Sequence, residues 1–181
     1  MTIFRTSSSK GKLSVIIMSC MVITLSNTVI LTQQKVSIGA INQDEFDGIQ
    51  YIKSHLNVND TIVTDLRLAS QIQYYTLYPM VYVPPISLTS SQQEKNWTWD
   101  ILYSDNATTV YNATFSWLET IGRVGVSNYL FLSTIFVTEG FFTTDYLLGP
   151  INSSLFSILN ESSLYSLIYH NDGVYLFELV T

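Results

Sequence analysis

The sequence predicts a three-layer α/β domain, with a mixed sheet of about five strands, set behind a single N-terminal transmembrane helix. Three observations lead there. A charge-free apolar run covers Leu13 to Thr32. From Asn42 onward, helical and strand patterns alternate, which favours a parallel sheet with covering helices. The chain then closes on two β-rich runs separated by His170-Asn-Asp-Gly173, the pattern of an antiparallel hairpin. The expected division is a basic cytoplasmic N-terminus over 1–12, a span over 13–32, a connector over 33–41 and an extracytoplasmic α/β domain over 42–181.

The apolar run reads LSVIIMSCMVITLSNTVILT. Twenty residues at about 1.5 Å each make roughly 30 Å, the thickness of a bilayer's hydrocarbon core. Only basic charges precede it (Arg5, Lys10 and Lys12), and no acidic residue occurs before Asp44. Basic flanks favour the cytoplasmic side, so the N-terminus is expected inside and the domain outside. A cleaved secretory signal is the competing reading. However, the run exceeds the usual apolar length of about 7–15 residues, and the small-residue pair Gly39-Ala40 lies several polar residues beyond it. A buried soluble helix rarely stays charge-free for so long. A prepilin-type signal at Lys10-Gly11 would leave Lys12 as an unfavourable first mature residue. Within the run, Asn27 sits near the outer interface or meets a partner helix, and Ser19 and Ser26 share one face.

Apolar residues make up 47% of the chain and charged ones only 12%, which excludes a disordered tail. Beyond Asp44 only Lys53, Arg67, Lys95 and Arg123 oppose the acidic residues. That balance argues against nucleic acid as a partner and against docking on anionic lipid. The membrane lipid around the span is the partner expected first. The lone cysteine, Cys20, lies inside the run, so the outer domain relies on its core and has no disulfide. Six Asn-x-Ser/Thr triplets begin at Asn59, Asn96, Asn106, Asn112, Asn152 and Asn160. Ser and Thr are abundant here, yet six exceeds what chance supplies. Each is a candidate N-glycosylation site if the domain meets the transferase.

The elements follow in order. Asn42 caps a helix, with Glu45 completing a capping box, and Phe46, Ile49, Ile52 and Leu56 form its apolar face. Asn57 to Asp60 turns the chain. Thr61 to Thr64 is a short strand ending at Asp65. A second helix carries Leu68, Ile72 and Tyr75 on one side. Met80 to Val83 is the next strand, closed by Pro84-Pro85. Ser87 to Asn106, holding Trp97 and Trp99, reads as irregular. A third helix runs from about Thr108 to Thr120, with Val110, Thr114, Trp117 and Ile121 inward and Gly122 as its stop. Val124 to Thr134 is the next stretch, and its Tyr129 to Leu132 is continuously apolar, the mark of a strand buried on both faces. A loop from Glu139 to Pro150 leads to a short helix over Ile151 to Leu159. Tyr165–Tyr169 and Val174–Glu178 form the hairpin, with Asp172-Gly173 expected to supply positive φ angles.

Chemistry-bearing patterns are few. Asp65 and Arg67 follow the first strand, where open α/β sheets place ligand contacts. They form either a polar site at the strand ends or, as expected here, a helix cap and a solvated arginine. His55 and His170 lack ligand-spaced Cys, His or carboxylate neighbours, so no metal site is expected. Gly122-Arg-Val-Gly125 precedes a strand, the wrong order for a phosphate loop. Asp44, Glu45 and Asp47 suit a capped helix start better than a calcium loop. Trp97 and Trp99 could offer sugar-stacking faces, but strand and helix cores also demand aromatics. No cofactor and no catalytic residue is expected.

Three segments carry a family resemblance: DEFDGIQYIKSHLNVNDTIVTD, GRVGVSNYLFLS and the terminal LYSLIYHNDGVYLFELV. Together with the preceding run they resemble the C-terminal extracytoplasmic domain and last membrane helix of polytopic C-type glycosyltransferases. These are the dolichyl-phosphate-mannose-dependent mannosyltransferase relatives common in archaea. The resemblance implies an external α/β domain that supports the handling of acceptor or lipid-linked sugar. In that family, acidic residues of the first external loop run the reaction. This sequence has one apolar run and no such loop, so no catalytic residue transfers to any position here. The expected function is therefore a non-catalytic accessory subunit or detached terminal domain, partnered by a polytopic glycosyltransferase or a lipid-linked sugar. A surface or pilus-like structural protein is the alternative.

Overall fold

Helix α1, Gln43–His55, starts on a reciprocal cap. Asn42 Oδ1 accepts from Glu45 N at 2.8 Å, and Glu45 Oε2 accepts from Asn42 N at 3.0 Å. The computed structural model describes residues 41–77, 80–123, 125–143, 145 and 147–180. The basic N-terminus, the expected span 13–32 and the connector up to Ala40 lie outside the described residues. Among the described residues no helix is long and apolar enough to cross a membrane. Helix α1 buries Ile49 and Ile52 completely, each worth about 1.5–3 kcal/mol of apolar burial. Asn57 and Asp60 then hold the turn, with Asp60 Oδ2 accepting from Asn57 N at 2.8 Å.

Strand β1, Thr61–Val63, leads through Asp65 into helix α2, Leu66–Thr76. Strand β2 is Val81–Tyr82. The stretch read as irregular instead holds helix α3, Gln92–Tyr103, started by a second capping box between Ser91 and Glu94. Its buried side chains are only Thr98, Ile101 and Leu102. So short an apolar face hardly shows as periodicity, although the Ser91-x-x-Glu94 pattern was visible. Helix α4, Ala107–Thr120, is capped by Asn106 and stops before Gly122, whose φ is 71°.

Strand β3, Asn128–Ser133, is buried along its whole length, as its apolar run predicts. A short 3-10 turn, Thr134–Val137, follows. The expected loop from Glu139 carries a small hairpin, β4 (Phe141–Phe142) and β5 (Leu147–Leu148). Two-residue strands lie below what alternation can reveal. Helix α5, Ser154–Asn160, precedes strands β6, Tyr165–His170, and β7, Val174–Leu179.

The main sheet is mixed and five-stranded, in the order β2-β1-β3-β7-β6. Strand β1 pairs in parallel with β2 and β3, while β7 pairs antiparallel with β3 and β6. Helices cover both faces. Gly48 of α1 brings its backbone against Phe131 and Val174, where a Cβ would stand 2.9 Å from each side chain. The next residue, Tyr175, points the other way, as strand alternation requires, and meets Phe156 of α5 at 4.8 Å between rings. On that same far side Trp117 of α4 meets Tyr82 edge-on at 6.4 Å. A bulge between Leu167 and Tyr169 breaks the β6 alternation. It turns Tyr169 toward α1, where it stacks on Tyr51 at 4.5 Å.

The terminal hairpin forms as expected, but its turn works differently. Neither Asp172 nor Gly173 takes a positive φ. Asn171 Oδ1 instead accepts from Gly173 N and Val174 N, both at 2.9 Å, and Asn171 Nδ2 donates to Asp44 O at 3.0 Å. Gly173 is needed for space: a Cβ there would stand 2.4 Å from Asp44 Cβ. Gly173→Ala and Gly173→Asn should therefore both lower the unfolding free energy, by about 1–3 kcal/mol, in urea titrations. A left-handed turn would tolerate Asn better than Ala, so an undiminished Gly173→Asn would contradict the contact.

Candidate functional site

Strands β2 and β3 lie on opposite sides of β1, so the sheet changes its direction of winding between β1 and β3. Open α/β sheets take ligands at the carboxyl ends of such a strand pair. Four polar side chains converge there: Glu45 from the first turn of α1, Asp65 and Arg67 from the β1–α2 junction, and Ser133 from the end of β3. Glu45 and Asp65 have no exposed surface, and Arg67 is 4% exposed.

Glu45, Arg67 and Ser133 form a closed knot, with Asp65 beside it. Arg67 Nη1 donates to Glu45 Oε2 at 2.7 Å, and Arg67 Nη2 donates to Glu45 Oε1, a two-pronged pair. Ser133 Oγ donates to Glu45 Oε1 at 2.7 Å. With the Asn42 amide on Oε2, both oxygens of Glu45 are fully engaged. Nearby, Thr64 Oγ1 donates to Phe131 O at 2.7 Å and ties the ends of β1 and β3 together. Asp65 Oδ1 caps α2 by accepting from Leu68 N at 2.8 Å. Asp65 Oδ2 accepts no hydrogen bond of ordinary geometry among the described residues, and Arg67 Nε stands 3.9 Å from it.

The expected cap at Asp65 is present, while the expected solvated Arg67 is not. A guanidinium in the first turn of a helix opposes the helix dipole, so it needs a tertiary partner to sit there. That placement was the available sign that Arg67 turns inward. Nothing local pairs it with Glu45, which lies on a separate helix, or with Ser133 on a strand far along the chain.

Environment sets the charges. Burial alone would raise Glu45, but its bonds from Arg67 and Ser133, the Arg67 charge and the Asn42 amide outweigh it and hold the carboxyl below its ordinary range. Arg67 would be lowered by burial; Glu45 and Asp65 hold it above its ordinary value instead. Asp65 goes the other way. Burial pushes it from 3.8 up to about 6, despite the Leu68 amide, the Arg67 charge and the nearby Phe142 amide. Phe142 belongs to the small β4–β5 hairpin. That segment is fixed elsewhere by Leu88 N donating to Asp145 Oδ2 at 3.0 Å and Tyr103 Oη donating to Gly149 O at 2.7 Å.

The other singled-out residues lie apart from the knot. His55 is exposed and stacks on Tyr51 at 4.1 Å. His170 is exposed in the terminal hairpin. Trp99 is 48% exposed and leans on Tyr103. Among the described residues no group of His, Cys, Asp or Glu could hold a metal ion. All six triplet asparagines, Asn59, Asn96, Asn106, Asn112, Asn152 and Asn160, are exposed. The chain matches no model of a known protein family and no curated protein sequence.

Two outcomes follow from the knot. Arg67→Met leaves Glu45 buried and unpaired and should cost about 3–5 kcal/mol in urea unfolding. The double variant Glu45→Leu with Arg67→Met should recover most of that loss, because apolar groups of similar volume often replace a buried ion pair neutrally. The second outcome concerns pH. A raised Asp65 contributes stability that is complete below its unfolded value and is lost as pH rises through about 6. Glu45, held low, contributes stability present above its unfolded value and lost on acidification. Together they favour an optimum near about pH 4, between the two unfolded values. Asp65→Asn keeps the capping oxygen and should flatten the decline from about pH 4 to 6, read as melting temperature. An unchanged slope would contradict the assignment to Asp65.

Proposed function

We propose that this chain is a single-pass membrane protein whose external α/β domain serves a membrane glycosyltransferase without itself catalysing sugar transfer, as an accessory subunit or detached terminal domain. The observation that carries the reading is the closed knot. The position where an open α/β sheet would take a ligand is filled by the domain's own Glu45, Arg67 and Ser133. Among the described residues the knot leaves no exposed nucleophile–base pair at the strand ends, so a role in partner or lipid-linked sugar handling fits better than one in turnover. Two further observations support an external setting. The charges before the apolar run Leu13–Thr32 are all basic, and every triplet asparagine stands exposed where a transferase could reach it.

Capture of the full-length chain from native membranes in a mild detergent tests this. A polytopic glycosyltransferase should co-purify in a fixed ratio. Recovery in sheared surface filaments would favour the structural alternative, and sugar transfer by the purified chain alone would overturn the non-catalytic reading. The membrane setting has its own check: the chain should stay with the pellet in alkaline carbonate, and its extraction would remove the anchor.

A further inference from the structure

We propose that the groove between α5 and the β6–β7 hairpin binds an uncharged pyranose sugar against the ring of Tyr175. The groove encloses about 680 Å³, within the range of small-molecule sites. Its lining sets the rings of Phe156, His170 and Tyr175 beside aliphatic Val137 and Leu167, over the buried Phe177. Strand alternation puts Tyr175 and Phe177 on one side with parallel rings 6.1 Å apart. The β6 bulge restores His170 to that same side, opposite Tyr175, at 5.9 Å and 17°. Phe156 braces the Tyr175 ring from α5.

The rim is polar and uncharged. The side chains of Ser153, Asn160 and His170 make no hydrogen bond among the described residues, and Ser157 Oγ, which donates to Ser154 O at 2.9 Å, keeps its lone pairs. Among the described residues, no Asp, Glu, Lys or Arg lines the groove. A phosphate or carboxylate ligand would find no fixed counter-charge there. A fatty chain would cover the hydroxyls and amide without satisfying them, at a cost of about 1–3 kcal/mol per group. A pyranose offers both surfaces at once: an apolar C–H face for the flat rings and equatorial hydroxyls for Ser, Asn and His.

Asn160 is also the acceptor of an Asn-Glu-Ser triplet. The sugar therefore has two possible sources: a glycan attached at Asn160 itself, or a saccharide on another molecule. The inference stands on the groove alone, so its failure is separate from any failure to capture a glycosyltransferase.

The test uses the full chain in a sugar-free detergent, made in a host without N-glycosylation. Methyl pyranosides of glucose, mannose, galactose and N-acetylglucosamine are added at millimolar concentration, with saturation-transfer NMR as the readout. At least one should receive saturation. Tyr175→Ala and His170→Ala should each weaken binding tenfold or more, while Trp99→Ala, on the separate α3 aromatic pair, should leave it unchanged. His170 is exposed and makes no hydrogen bond among the described residues, so its variant tests the groove even if Tyr175→Ala fails to fold. The same titration on chain glycosylated at Asn160 identifies the source. Loss of the free-sugar signal assigns the groove to the chain's own glycan, and retention assigns it to another molecule. No saturation of any pyranoside in the unglycosylated chain overturns the proposal, as does binding abolished by Trp99→Ala but not by the groove variants.

Discussion

The two-pronged bond between Arg67 and Glu45 is the constraint on which the rest of the domain depends. It joins the first turns of α1 and α2, and Ser133 adds the end of β3 to the same carboxylate. Removing both charges from water is expensive, so the pair adds little net stability compared with a well-packed apolar core. Its effect is on arrangement. Each oxygen of Glu45 has its donors in fixed directions, so α1 has one register over β3 and β7. That register sets Gly48 over Phe131 and Val174 and brings Asp44 against the terminal hairpin at Gly173.

The same constraint explains why Asp65 is held in an unfavourable state. Its capping oxygen must stay for α2 to begin where β1 ends. Its second oxygen then enters a buried space where the Arg67 fork is committed to Glu45 and the Phe142 amide does not offset the burial. Arg67 is too distant for a hydrogen bond to it, and the Glu45 charge works against ionisation. Two carboxyls beside one guanidinium are thus pushed apart in acidity, one below and one above the ordinary range.

What the sequence makes legible is local. The Asn42–Glu45 cap, the buried strand at Tyr129–Leu132 and the terminal hairpin are written in adjacent residues, and each forms where expected. Helix α3 escaped because its inner face is only three residues wide, and β4 and β5 because they are two residues each. The knot escaped for a different reason. Glu45 reads fully as a helix cap and Asp65 fully as another, so neither advertises a tertiary role. Only Arg67, seated against a helix dipole, hints at one. Gly173 was legible as necessary but for the wrong reason, since its neighbour Asp44 is distant in sequence.

Nitrogen-15 NMR of the Arg67 side chain tests the central claim most directly. A guanidinium held by two prongs inside the domain cannot rotate freely about Nε–Cζ and exchanges its protons slowly. The account predicts separate, exchange-protected Nη signals for Arg67. A single averaged signal that exchanges at solvent rates would contradict it and would reopen the carboxyl ends of β1 and β3 as an accessible site.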